Sequence, residues 1–150
     1  MTNLKISPRL LEICNIIDDG SKIIDVGCDH ALMDIYLSKY KNCSCLAIDK
    51  SLQCTYRAFE NSLKYDANVL IKCNNGLEGL KLSDELIVIS GMGTRTIKKI
   101  LSKDIDNDLI IVTHTDIDEL KEFLDIKNYR IILEKKIFDR RYYTIIKATK

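Results

Sequence analysis

Short runs rich in Ile, Leu and Val alternate with longer amphipathic stretches along nearly all of this 150-residue chain, and that alternation limits the fold more than any other feature. The runs KIIDVG (22–27), CSCLAID (43–49), NVLIKCN (68–74), ELIVIS (85–90) and DLIIVT (108–113) have the length and branched content of β-strands. The stretches between them carry apolar residues at helical spacing. Ser7 and Pro8 open the first as N-cap and first helical position, with Leu10, Ile13 and Ile17 on one face. Met33, Tyr36, Leu37 and Tyr40 mark the second, and Leu52, Tyr56, Phe59 and Leu63 gather on one face of the third. Ile97, Ile100 and Leu101 follow the fourth strand, and DIDELKEFLDI (116–126) opens on Asp116 and Glu119 like a capping box. Two β-rich runs, YRIILEKKIF and RRYYTIIKAT, close the chain around Asp139 as an antiparallel edge hairpin. Strands interleaved with helices predict an α/β fold with a mostly parallel seven-stranded sheet, covered on both faces and ending in that hairpin.

A doubly wound sheet that finishes in a β-hairpin resembles the Rossmann-like class I S-adenosylmethionine-dependent methyltransferases rather than the dehydrogenases. Residues 1–150 read as one domain, with no linker, repeat or low-complexity segment. No apolar run approaches the roughly 20 residues needed to span a bilayer, and the N-terminus has no apolar export signal, so the expected location is cytoplasmic. Of the six cysteines, none forms a C-x-x-C pair, and the two histidines lie far from any paired Cys. These read as structural thiols, with no metal. A net charge of +1 decides nothing about nucleic acid. The tail from Glu134 is locally basic, which suits either a solvated edge hairpin or a nucleic-acid contact.

In an open α/β sheet, ligands bind beyond the C-terminal strand ends, so those positions carry the functional reading. After the first strand come Asp25, Gly27, Cys28, Asp29 and His30, where a pyrophosphate loop would place several glycines. Acidic side chains there repel a pyrophosphate. They suit a ligand that lacks phosphate and carries positive charge, as S-adenosylmethionine does through its sulfonium and α-amino groups; the plainer alternative is that Asp25 and Asp29 cap turns. Asp49 stands 22 positions beyond Gly27, placed to accept from both hydroxyls of a ribose, or else to cap a helix. Asn74, Asn75 and Gly76 compose a turn that either contacts adenine or is only a turn. Gly91 and Gly93 around Met92 permit close approach of a flat ligand, or a tight strand-to-helix turn. His114 and Thr115 follow the fifth strand, where a lone His is more often structural.

Together DVGCDHALMDIYL, NNGLEGL and ISGMGTRTI closely resemble the TrmK family of tRNA (adenine-N1)-methyltransferases, which modify adenine 22, over about Ser7 to Ile146. The resemblance implies S-adenosylmethionine as cofactor. It puts Gly27, Asp29 and His30, with Asp25 and Cys28, at the methionine end, Asp49 and Lys50 at the ribose, and Asn75 and Gly76 at the adenine. Gly91, Met92 and Gly93 would flank the transferred methyl. Cys28 replaces a usual Ser, Asp34 a common Pro, Asn74 a common Gly and Thr94 a second Gly, while THTD (113–116) replaces a Gln-Pro-Asn-like segment. Family members usually continue into a helical domain implicated in tRNA binding, and this chain is expected to be the catalytic domain without it.

Adenine N1 has an in-plane lone pair, so the expected chemistry is placement of N1 in line with the methyl. Asp29 is the candidate catalytic acceptor for the adenine amine. Tyr142 and Tyr143 beside Arg140 and Arg141 either offer stacking and phosphate contacts or are ordinary strand residues, with Arg9 and Arg95 as further expected RNA contacts. The partner expected is tRNA and the protein a monomer, with neither metal nor membrane. A same-fold methyltransferase for another substrate, and a non-catalytic cofactor- or RNA-binding relative, remain the alternatives.

Overall fold

In the computed structural model, which describes residues 3–150, the alternation resolves into helices α1 (Pro8–Asn15), α2 (Leu32–Tyr40), α3 (Leu52–Lys64), α4 (Thr94–Ile100) and α5 (Ile117–Ile126). The strands are β1 (Lys22–Val26), β2 (Ser44–Asp49), β3 (Val69–Cys73), β4 (Leu86–Ser90), β5 (Leu109–Thr113), β6 (Arg130–Phe138) and β7 (Tyr142–Thr149). Ser7 caps α1, its side chain accepting from the Leu10 amide at 3.3 Å, and Pro8 takes the first turn, where its missing N–H costs nothing.

One sheet carries all seven strands in the order β3-β2-β1-β4-β5-β7-β6. Strands β1 to β5 are parallel, so Asp25 lies opposite both Ala47 of β2 and Val88 of β4. The chain leaves β1 toward β2 on one side and returns to β4 on the other, and this reversal opens a crevice at the strand ends. The closing hairpin is antiparallel, with β7 inserted between β5 and β6, where Ile111 pairs with Ile146. That interior position explains why Ile145, Ile146 and Ala148 are buried while β6 forms the edge.

Alternation along the strands divides the core. Ile24, Val26, Ile87 and Ile89 face α4 and α5 through Ile97, Leu101, Leu120 and Leu124. Ile23, Val88 and Ile110 face α1 and α2 through Ile13, Ile17, Met33 and Leu37. Asp25 shares the parity of Ile23 and so points to the α2 side.

Two local expectations are corrected. The apolar stripe of α3 faces solvent: Leu52, Tyr56, Phe59 and Leu63 are 74, 64, 52 and 66% exposed. Thr55, Ala58 and Ser62 are buried instead, and these small residues let the helix lie close on Ala47 and Ile71. The rotation is fixed by polar contacts, because Asn61 donates to the His30 carbonyl at 3.0 Å and Arg57 and Cys54 reach His30 and Asp29. Asp116 forms no capping box; it sits in the left-handed region (φ 48°) and its side chain caps nothing.

Candidate functional site

The loop after β1, Gly27 to Ala31, is wound tightly, with positive φ at Gly27 (83°), Asp29 (50°) and Ala31 (59°). Four of its five amides are spent within the protein. Gly27 and Cys28 both donate to the Ile48 carbonyl, at 2.8 and 2.9 Å, and Ala31 donates to Cys28 at 2.8 Å. Asp29 donates its amide to the Asp49 carboxylate at 3.1 Å. A phosphate cradle needs such amides free and convergent. This loop offers carboxylates instead, which is the physical content of its missing glycines.

Asp49 ends β2 with both oxygens oriented from behind: one accepts from Asp29 and the other from the Ser51 amide at 2.9 Å. It does not cap α3; Ser51 does, accepting from the Cys54 amide at 3.2 Å. The carboxylate is therefore fixed, with lone pairs remaining for a ligand. After β3, Asn74 spends its side-chain amide on the carbonyls of Gly76 and Glu78, at 2.9 and 3.0 Å, so it staples the turn while Asn75 and Gly76 line the crevice.

The far wall comes from the ends of β4, β5 and β7. Thr113 donates to the Met92 carbonyl at 2.8 Å, and Thr94 donates to the Thr115 carbonyl at 2.7 Å while its amide reaches the Thr115 hydroxyl at 3.2 Å. These bonds give the segment after β5 its role: it braces Gly91, Met92 and Gly93. Beside them, Arg9 of α1 lies over the Tyr143 ring at 4.6 Å. His114 meets that ring edge-on with centroids 5.4 Å apart, and Arg141 donates to His114 Nε2 at 2.8 Å.

Beneath the crevice floor, Asp25 and Asp34 are buried side by side, at 4 and 0% exposure. Burial pushes the Asp25 carboxyl up to about 6, the fixed charge of Asp49 adding to it. Burial and the neighbouring Asp25 charge hold Asp34 well above the ordinary carboxylate range, so Asp34 is the member of the pair that holds a proton more tightly. The same seclusion pushes Cys14 up to about 12 and raises Cys28 and Cys45 further, so these thiols stay protonated.

All these walls enclose a crevice of about 770 Å³, within the range that takes a cofactor-sized ligand. Asp25, Gly27, Cys28, Asp29, His30, Asp49, Lys50, Asn75, Gly76, Gly91, Met92 and Gly93 line it together, as does Arg9. Asp29, the candidate acceptor for the base, turns its carboxylate toward His30 (3.5 Å) and Cys54 (3.6 Å), on the α3 side beside Asp49. That turns it away from the β4–β5 wall. Arg95, Arg140 and Tyr142 lie on the surface outside the lining, with Tyr142 packed edge-on against Phe138. Of the two adjacent tyrosines, Tyr143 is the one whose ring lines the crevice. Ser90, whose buried hydroxyl has no partner, also lines the site and went unread in the sequence. Among the described residues no group of three or more His, Cys, Asp or Glu could hold a metal, and no helix is long and apolar enough to cross a membrane.

A family profile described as a methyltransferase domain matches residues 6–146. A Mycoplasma genitalium protein designated a candidate tRNA methyltransferase is 28% identical over 142 residues, covering 89% of this chain; the chain spans 65% of that relative's length. The structure of M. capricolum TrmK in complex with its cofactor product S-adenosylhomocysteine superposes with a TM-score of 0.88 at 29% identity, over 97% of this chain and 69% of that one. The B. subtilis M1A22 tRNA methyltransferase TrmK shares the fold with a TM-score of 0.89 at 24% identity, over 98 and 67% of the two chains.

Proposed function

This chain belongs to the methyltransferase-domain family, and we propose that it is an S-adenosylmethionine-dependent enzyme that methylates N1 of an adenine in tRNA, at a position of the adenine-22 type. In this reading residues 1–150 form one domain and act as a cytoplasmic monomer. The observation that carries it is the braced Asp49 carboxylate at the end of β2, in a crevice whose first loop keeps its amides from any phosphate.

The residues present fit the cofactor. Asp49 accepts from the ribose hydroxyls, with Lys50, Asn75 and Gly76 along the adenine. Gly27, Cys28, Asp29 and His30, over Asp25, form the acidic side that favours a sulfonium and an α-amino group. The unpartnered Ser90 hydroxyl adds a polar contact on the floor. When bound, the cofactor supplies an electrophilic methyl group. The rest is positioning by the chain: Gly91 and Gly93 leave room for a flat base, and the threonine braces fix Met92 against it. A splayed-out base would stack at the Tyr143 ledge, with Arg141 near its phosphate. Arg95, Arg140 and Tyr142 would meet the RNA outside the crevice. Asp29 we assign to the cofactor rather than to the base.

The test is methyl transfer from radiolabelled S-adenosylmethionine to unmodified tRNA, with nucleoside analysis of the product and calorimetric titration of the cofactor alongside. Label in 1-methyladenosine from the native protein, lost in Asp49→Ala, is the expected result. Cofactor binding without transfer to tRNA would assign another substrate, and no binding by folded protein would leave a non-catalytic relative.

A further inference from the structure

His114 lines the crevice between two threonines that brace the segment after β4. Thr113 donates to the Met92 carbonyl at 2.8 Å, and the Thr115 carbonyl accepts from the Thr94 hydroxyl at 2.7 Å, so the backbone on both sides of His114 is held. Its ring is held too, although the residue is exposed: it lies edge-on to Tyr143 with centroids 5.4 Å apart and is bonded to Arg141 at 2.8 Å. A guanidinium can only donate, so Nε2 accepts, and the proton of the neutral imidazole is assigned to Nδ1. Among the described residues no group accepts from that Nδ1–H. The result is one oriented donor on the crevice wall with no partner in the chain.

The order of the strands says which ligand it meets. In the reading above, the cofactor lies over the ends of β1, β2 and β3, with its ribose at Asp49 and its adenine at Asn75 and Gly76. Strand β5 stands two strands beyond β1, about 10 Å away, on the side left to the methyl acceptor. An adenine that aims N1 at the methyl carries its amine on the same edge, while its N3 and N7 can only accept. Beyond its pairing edge, a pyrimidine ring has no such nitrogen. We propose that His114 is a specificity-determining residue for the target base, its Nδ1–H donating to N7 or N3 of the purine and so turning N1 toward the methyl group. The proposal rests on the tRNA-methylation reading above. His114 transfers no proton: N1 forms its bond to the methyl carbon as the carbon–sulfur bond breaks, and the electron pair stays with sulfur. Its contribution is orientation.

Methyl-transfer kinetics on tRNA carrying adenosine, 7-deazaadenosine or 3-deazaadenosine at the target position test it, since each analogue replaces one acceptor nitrogen with C–H. The quantity read is the ratio of kcat/KM for adenosine to that for each analogue. It is compared between native protein and His114→Phe, which keeps a ring against Tyr143 without the donor, so that the analogue's own change in N1 reactivity cancels. For one analogue the native ratio is expected to exceed the variant's about tenfold, the scale of one hydrogen bond; for the other the two ratios should agree within about twofold. His114→Gln, which keeps a donor, should fall between, and serves if the Phe variant melts early. Cofactor affinity by calorimetry should stay within about twofold in both variants. Ratios that agree for both analogues overturn the proposal, as does a fall in cofactor affinity matching the fall in kcat/KM, the mark of a structural role. If native protein binds the cofactor and methylates no tRNA, the tRNA reading itself fails.

Discussion

Replacing Asp34 with Asn isolates a proton that this fold takes up. Asp34 is fully buried, and burial with the adjacent Asp25 charge raises its carboxyl well above 3.8. Unfolded, the same group loses its proton near pH 4. Above about pH 4 the folded state therefore holds the proton at this position more tightly than the unfolded state. A carboxyl raised in the fold contributes stability that is fully present below its unfolded pKa and is lost as pH rises toward its folded one. A full proton of difference would give a slope of about 1.4 kcal/mol per pH unit, which is the upper limit for one group. Asp25, pushed up to about 6, acts in the same sense over the lower part of the range, but it is present in both proteins and largely cancels from their difference. Asn keeps the shape and cannot titrate. The stability of Asp34→Asn relative to the native protein should thus improve steadily as pH rises from 5 to 7.5. In thermal melts this is at most about 3 °C per pH unit for a chain of this size. Parallel melting curves for the two proteins across the range would mean that Asp34 is ionised in the fold, and the account of the buried pair would be wrong.

Other expectations follow from individual contacts. Asp49→Ala removes charged hydrogen bonds worth about 1.5–3 kcal/mol each, so S-adenosylmethionine affinity should fall tenfold or more by calorimetry. In Gly27→Ala the new methyl would lie 2.4 Å from the Met92 side-chain tip at a φ of +83°; a loss of about 1–3 kcal/mol is expected in denaturant melts, with weaker cofactor binding. Phe59→Ser should stay within about 0.5 kcal/mol, because that face of α3 is in solvent. Ala58→Leu, under the same helix, should cost about 1–3 kcal/mol by overpacking. Thiol labelling of native protein should find Cys73 and, more slowly, Cys54, while Cys14, Cys28, Cys43 and Cys45 should need denaturant.

The strands were legible because short branched runs such as LIVI and LIIV, bounded by polar and turn residues, fit strands buried on both faces, and β4 and β5 lie in the sheet interior. The crevice was legible for a related reason: a doubly wound sheet brings its strand ends together wherever the residues between them lie. The apolar face of α3 was misleading, because side-chain pattern alone does not register that Asn61, Arg57 and Cys54 must turn toward the β1 loop. The buried Asp34 was invisible as a site residue, since a carboxyl in the first turn of a helix ordinarily reads as a solvated partner of the helix dipole. Tyr143 and Tyr142 are adjacent in sequence, and only the pairing of β7 with β5 decides which ring faces inward. The segment after β5 was unreadable because its threonines bond to backbone from β4 and its flank, contacts that leave no mark on local pattern.

Those threonine bonds and the self-bonded β1 loop act in the same direction. Gly27, Cys28 and Asp29 give their amides to Ile48 and Asp49, which ties the end of β1 to the end of β2. Thr113 and Thr94 tie the flank of β4 to the end of β5. Each wall of the crevice is thereby stiffened by groups that, in a phosphate-binding relative of this architecture, would be spent on the ligand. A crevice built this way has little to offer a pyrophosphate and three fixed carboxylates to set against it. Selectivity for a cationic, phosphate-free adenosine derivative over NAD is thus the expected consequence of where the backbone hydrogen bonds go. It should survive substitutions at Cys28 or His30, whose side chains brace none of these bonds, and fail at Asp49, whose side chain holds the Asp29 amide. Competition between NAD and S-adenosylmethionine in Cys28→Ser and Asp49→Asn proteins would separate the two cases: loss of selectivity in the Cys28 variant alone would place it in side-chain packing instead.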